Sequence, residues 1–242
     1  MRREIVRIHQ HSSEIVLAKC VSRNHTFYQK SSYSPEGIRE IKNELLGYHW
    51  YFERAHPNLS VSLNCDKDGY ANITIPTFEA WPCDHATVID KAFKYALRAI
   101  DCYKDIWLKG NNKHNVLHPV HGDFSLEGNI LFSCSDVYII DWEHFHLEIA
   151  PLGFDILFMV FELLKMEFKN TRPTVEKLYL AKKLIMYAVS KGVISPSYQN
   201  NYFSSFLVEQ DDIKFIWKDQ YHKLPTTQFT ALQTQVLTDY FK

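Results

Sequence analysis

Two short apolar runs set the strongest limit on how this chain folds: NILFS (129–133) and VYIID (137–141), separated only by Cys134-Ser135-Asp136. Short runs rich in β-branched and aromatic residues, parted by a tight polar break, read as an antiparallel hairpin. Pairing through that break brings Asn129, at the start of the first strand, to the same end of the hairpin as Asp141, at the end of the second. A third polar group, Asp123, precedes both in the segment HGDFSLEGNILF (121–132).

The surroundings of the hairpin divide by pattern. EIVRIH, EIVLAKCV and TFYQKSS, within residues 1 to 33, alternate apolar and polar side chains and predict a small antiparallel sheet. Ser34-Pro35 reads as a helix start, and Ile38, Ile41, Leu45, Tyr48 and Phe52 predict one buried helical face. NCDKDG (64–69) is a turn. YANITIPTFEAW (70–81) is a further strand whose Pro76 puts its end at a sheet edge or takes it out of the sheet. Past Trp81-Pro82 the pattern turns helical, with Ile89, Phe93, Leu97, Ile100 and Trp107 marking a long amphipathic helix that ends at Gly110. After the hairpin come GFDILFMVFELLKMEF, TVEKLYLAKKLIMYAVSKG and TALQTQVLTDYF, all helical in pattern. The fold class expected is α+β: a small β-rich unit over 1–80 and a larger, mostly helical one over 81–242, with a cleft between them for a ligand.

Composition removes several alternatives. Hydrophobic residues make up 46% of 242 and charged residues 23%, which suits a globular chain with a sizeable core. A formal net charge of −1 gives no general attraction for nucleic acid or an anionic membrane. Five scattered cysteines without a C-x-x-C argue against a zinc site or disulfide framework and fit a reducing cytoplasm. The start MRREIVRIHQH lacks the apolar run of a signal peptide, and PLGFDILFMVFELL, interrupted by Asp155 and Glu162, is too short to span a bilayer.

Two carboxylates and an amide oxygen gathered at one hairpin are what phosphoryl transfer from ATP requires. One carboxylate orients the attacking hydroxyl and takes its proton, while oxygen ligands hold Mg²⁺ on the phosphates. H-G-D…G-N-I-L-F followed by I-I-D-W-E, with PLGFDI downstream, resembles the active-site signature of the aminoglycoside phosphotransferase and choline kinase group, within the protein-kinase-like fold. The close match runs from about Pro119 to Phe158. The resemblance implies two lobes, the first (1–80) binding nucleotide and the second (81–242) carrying the catalytic loop and the acceptor site. It makes Asp123 the catalytic base, has His121 and Gly122 shape the catalytic loop, makes Asn129 and Asp141 the metal ligands, and has Asp155 brace the loop. It also implies a lysine that grips the α/β-phosphates and a glutamate that holds it. Lys30 and Glu44 are preferred for this pair, with Lys19 and Glu40 as rivals. Phe78, Glu79 and Ala80, followed by Trp81, fall where backbone groups would meet adenine. ATP and Mg²⁺ are the implied cofactors, and the implied acceptor is a hydroxyl of a small molecule of sugar, amino alcohol or aminoglycoside type. Residues from about 160 to 242 would form its wall.

Departures from the group's pattern are specific. Asp123 and Asn129 lie six apart where the group has five, which brings Ser125 and Glu127 forward as unusual contacts. No glycine precedes Gly37, so the role of a phosphate-covering glycine loop falls to HQHSSE (9–14), to SRNH (22–25) or to nothing. That gap favours the alternative of a catalytically weak or inactive module that binds nucleotide or a partner; the three retained polar residues oppose it. In DWEHFH, His144 and His146 would share one face of an extended segment, without a third metal ligand. Glu143 is a candidate for contacting an amine or hydroxyl of the acceptor. No A-P-E-like activation segment follows DWE, so a protein acceptor is disfavoured.

Overall fold

A computed structural model describes residues 2–8, 14–22, 25–66, 69–109, 117–170, 174–217 and 228–242. The chain divides into two compact units, Met1–Glu79 with Asp141–Phe145, and Ala80–Ile140 with His146–Lys242.

In the first unit β1 (Arg2–Ile8), β2 (Val16–Val21), β3 (Thr26–Ser32), β4 (Ser62–Cys65) and β5 (Ala71–Pro76) form an antiparallel sheet in the order β1-β2-β3-β5-β4. β3 is its central strand, and Lys30 sits between Leu17 of β2 and Ile73 of β5. Helix α1 (Pro35–Ala55) follows β3 directly; Ser34 caps it, its hydroxyl accepting the Gly37 N–H, and Pro35 opens the first turn.

The buried side of α1 is wider than its apolar spacing suggests. Ile41, Tyr48 and Phe52 are buried as the pattern requires, but so are Glu44, Gly47, Trp50 and Tyr51. The reason is the short segment Asp141–Phe145, which packs on α1 as part of this unit although it lies far along the chain. Trp142 stacks on Tyr51 with ring centroids 5.2 Å apart, and Trp50 meets both Trp142 and Phe145. The helix is therefore covered on two sides.

The second unit opens with β6 (Trp81–Pro82) and α2 (Ile89–Trp107), then β7 (His118–Val120), β8 (Ile130–Phe132), β9 (Val137–Ile139) and β10 (His146–Ala150). Among the described residues it continues with α3 (Phe154–Asn170), α4 (Val175–Ser190), α5 (Tyr202–Trp217) and α6 (Ala231–Tyr240). The β8–β9 hairpin forms as expected, pairing Ile130 with Ile139 and Phe132 with Val137, and β6 adds to its edge. β7 pairs with β10, a contact the sequence pattern did not suggest.

The buried face of α2 joins large residues of its apolar stripe with small ones: Ile89, Ile100 and Trp107 are fully buried, as the pattern requires. Ala92, Ala96 and Ala99 are fully buried, whereas Phe93 and Leu97 are only half-buried flanks. Small side chains let helices approach closely, and α2 packs against α3 and α4. Helix α3 is apolar nearly all round and correspondingly buried from Phe154 to Phe161. Phe161 gathers Phe203, Phe206 and Phe241 at centroid distances of 4.9, 5.2 and 5.4 Å, so these rings are core. Among the described residues no helix is long and apolar enough to cross a membrane.

Candidate active site

In the first unit the site is an ion cluster on the central strand. Lys30 is 8% exposed, and its ammonium meets Glu44 Oε2 at 2.9 Å, the Asp141 carboxylate, and Glu143 Oε2 at 3.5 Å. A buried charge needs paired and hydrogen-bonded surroundings, and here three carboxylates supply them. Burial alone pulls the Lys30 ammonium down, but Asp141, Glu44 and Glu143 outweigh it and hold it well above its usual range. Glu44 is 1% exposed. Burial pushes its carboxyl up to about 8, the Asp141 and Glu143 charges add to the rise, and Lys30 opposes it. Of the two lysines weighed from sequence, Lys30 is the one buried against a helix glutamate; Lys19 is half-buried on β2, and Glu40 is half-buried on α1.

Asp141 takes up a left-handed backbone (φ 66°, ψ 57°) before a 3-10 turn, Trp142–His144. Few residues other than glycine adopt that conformation, aspartate among them. The turn separates the two histidines. His144 is buried in it, where desolvation holds the imidazole below its ordinary pKa, and His146 begins β10 of the other unit. The extended segment expected for His144 and His146 is not present, because the aromatic packing of Trp142 and Phe145 on α1 bends the chain there. Glu143, a candidate for acceptor contact or for a solvated surface position, lies with Oε2 3.5 Å from the Lys30 ammonium.

In the second unit the segment from His121 to Asn129 is fixed by α2, by α3 and by its own histidine. Phe124 is fully buried against Tyr103 and Trp107 of α2, and Leu126 is buried as well. Trp107 Nε1 donates to the Pro119 carbonyl at 2.6 Å, tying α2 to the strand that leads into the loop. Asp155, in the first turn of α3, accepts the backbone N–H of His121 at 2.9 Å and of Gly122 at 3.1 Å, and Gly122 turns the chain with φ 88°. His121 is fully buried: its Nε2 bonds the Ile140 carbonyl at 2.9 Å and its Nδ1 accepts the Asp123 N–H at 3.2 Å. With both ring nitrogens engaged, His121 shapes the loop.

Asp123 is half-buried, and its carbonyl accepts the Asn129 Nδ2–H at 2.8 Å. That bond engages the amide nitrogen of Asn129, so Oδ1 is its acceptor atom. The Asn129 carbonyl in turn accepts the Ile140 N–H at 3.0 Å, which sets Asn129 opposite the residue before Asp141 in the chain. Residues 125–129 form a five-residue turn, closed by the Asn129 N–H on the Ser125 carbonyl at 3.3 Å. Ser125 is half-buried in that turn, and Glu127 and Gly128 are exposed. A Cβ on Gly128 would meet nothing within 4 Å. Gly128→Ala is therefore expected to leave activity unchanged and to stabilise the chain by about 0.4–1 kcal/mol, read by urea unfolding. Substantial destabilisation would contradict this description of the loop.

Asp155 also makes stability depend on pH. Burial pushes its carboxyl up to about 7; the His121 and Gly122 N–H groups oppose the rise, and the Asp123 charge adds to it. The folded pKa thus lies above the unfolded one. The stabilisation it brings is full below about pH 4 and is lost as the pH rises through about 7, on the order of 1.4 kcal/mol per unit of difference. Asp155→Asn is expected to flatten that part of the curve in urea titrations across the same window. An unchanged slope in the variant would contradict it.

No family profile matches this chain, and no curated protein matches it in sequence. Solved structures do match. WaaP, solved in complex with acyl carrier protein, aligns over 87% of this chain and 88% of its own with a TM-score of 0.50 at 8% identity. The chain has a protein-kinase-like fold. A thermostable mutant of aminoglycoside phosphotransferase APH(4)-Ia aligns over 92% of this chain and 96% of its own, at a TM-score of 0.46 and 10% identity. Spectinomycin phosphotransferase APH(9)-Ia, solved with ADP and spectinomycin, aligns over 79% and 93%, at 0.36 and 11%. At these identities the likeness is one of fold.

Within the kinase-like fold, Lys30 lies on β3 and Glu44 on the helix that follows it. Phe78 is half-buried edge-on to Phe52, Glu79 is exposed, and Ala80 begins the second unit. HQHSSE lies outside the described residues except for its last, Glu14, and SRNH outside them at Arg23 and Asn24. Sequence reasoning missed Asn43 and Tyr48, which hold the Asp141–Phe145 turn. The available signal was Gly47, an interior helical glycine one turn from Asn43.

Proposed function

We propose that this protein is an ATP- and Mg²⁺-dependent phosphotransferase that moves the γ-phosphate to a hydroxyl of a small molecule of sugar, amino alcohol or aminoglycoside type. The observation that carries this reading is the buried Lys30–Glu44 pair on β3 and α1 with Asp141 on the same ammonium. Lys30 would exchange part of its carboxylate shell for α/β-phosphate oxygens, with Glu44 keeping the ammonium in place. Asp123 would orient the acceptor hydroxyl and accept its proton. The acceptor oxygen then bonds to the γ-phosphorus as the bridging oxygen departs with ADP. His121 and Asp155 hold the loop that carries Asp123. Backbone groups of Phe78, Glu79 and Ala80 are proposed to meet adenine.

The residues offered to a metal suit a hard divalent cation. Asp141 brings a carboxylate and Asn129 an amide oxygen whose nitrogen is already committed to Asp123. Glu44, Asp141 and Glu143 also bring ligand oxygens within 4.8 Å of one another, a grouping that could hold a metal ion. Bound Mg²⁺ would offset the charge of the phosphates. The helical residues from about 160 onward are proposed as the acceptor wall. A cytoplasmic setting fits, since all five cysteines are free thiols.

Thermal unfolding with ATP, with and without Mg²⁺, tests the reading. A rise in Tm that needs both is expected. A rise with ATP that Mg²⁺ does not change favours a nucleotide-binding module without catalysis, and no rise contradicts nucleotide binding altogether.

A further inference from the structure

The Asp141–Phe145 turn is held from α1 by polar atoms at alternate residues. Asn43 Nδ2 donates to the carbonyls of Glu143 and Phe145, both at 2.8 Å, and Tyr48 Oη accepts the Asp141 N–H at 3.4 Å. Asn43 immediately precedes Glu44. One turn of α1 therefore carries both the carboxylate that meets Lys30 and the amide that fixes the chain bearing Asp141 and Glu143. Asparagine is a poor helix former, so its place inside a 21-residue helix asks for a tertiary reason. An amide NH₂ has two donors, and here both go to a single turn. The left-handed backbone of Asp141 persists only where its surroundings over-determine it. Trp142 and Phe145 supply the apolar part of that constraint, and Asn43 supplies the directional part.

We infer that Asn43 is a positioning residue for phosphoryl transfer: its clamp on the Glu143 and Phe145 carbonyls sets where the Asp141 carboxylate stands relative to Lys30. The inference rests on the phosphotransferase reading above. Residues behind a metal ligand commonly change metal affinity by tenfold to a hundredfold when lost. Removing the clamp should therefore appear in Mg²⁺ dependence more than in stability.

Three variants test it. Asn43→Ala removes the donors, Asn43→Asp keeps the size but presents oxygen to both carbonyls, and Asn43→Gln keeps the donors on a longer stem. The first measurement is amide hydrogen exchange over 141–146 in the nucleotide-free chain. It is expected to quicken by about tenfold or more in the alanine and aspartate variants while the α1 interior stays protected. The second is the Mg²⁺ concentration giving half the ATP-dependent thermal shift, expected to rise about 10–100-fold in the same variants. ATP binding without metal should stay as in the parent, and the glutamine variant should recover part of both effects. A merely structural role would lower Tm without moving the Mg²⁺ half-saturation. Unchanged exchange overturns the clamp; faster exchange with unmoved Mg²⁺ dependence overturns the positioning role. If the parent itself shows no Mg²⁺-dependent response, the phosphotransferase reading fails and the positioning role with it, while exchange still decides the clamp. Loss of fold in one variant leaves the other two to decide.

Discussion

Asp123→Asn is expected to lower the rate of phosphoryl transfer by about 10²–10⁴-fold, the usual contribution of a positioned general base. The substitution is close to isosteric, and two of the bonds that define the loop use the Asp123 backbone. The Asp123 N–H still donates to His121, and its carbonyl still accepts from Asn129. Phe124 and Leu126 remain buried anchors on either side of Ser125. The thermal shift with Mg²⁺ and ATP should accordingly persist in the variant while product formation falls. Turnover within a few-fold of the parent would remove Asp123 from its assigned role.

Gly47→Ala gives the other large effect, and its sign is diagnostic. In an ordinary helix interior this substitution stabilises by roughly 0.8–1 kcal/mol. Here a Cβ would stand 2.4 Å from Trp142 Cβ and 3.0 Å from Phe145 Cβ, inside contact distance of buried rings. Overpacking of this kind typically costs about 1–3 kcal/mol, so a net loss of stability is expected in urea unfolding. Because the segment displaced is the one bearing Asp141 and Glu143, activity should fall further than stability does. A more stable Gly47→Ala protein would show that α1 does not dock Trp142 and Phe145 as described.

What the sequence disclosed was mostly local. Ser34-Pro35, the β8–β9 hairpin and the alternation of the first three strands each declare themselves within a few residues. The brace from Asp155 is not local, since the His121 and Gly122 N–H groups it accepts lie 34 and 33 residues away; only the family resemblance pointed to it. The Lys30–Glu44 pair was legible because strand and helix are consecutive. What stayed hidden depends on distant packing. Asp141–Phe145 joins the first unit only because α1 presents Gly47 and two aromatic residues to it, and nothing in DWEHFH announces that partner. The same bend undoes the extended reading of His144 and His146. The share of Ala92, Ala96 and Ala99 in the buried face of α2 was overlooked because apolar periodicity weighs size.

The central claim is that this chain transfers phosphate. Its most direct test is ADP release, coupled to detection of the phosphorylated acceptor, across a panel of small hydroxyl compounds with and without Mg²⁺. Mg²⁺-dependent ADP formation is expected, matched one for one by phosphorylated acceptor and abolished by Asp123→Asn. No acceptor-dependent ADP formation by the parent, or equal formation by the variant, would contradict it.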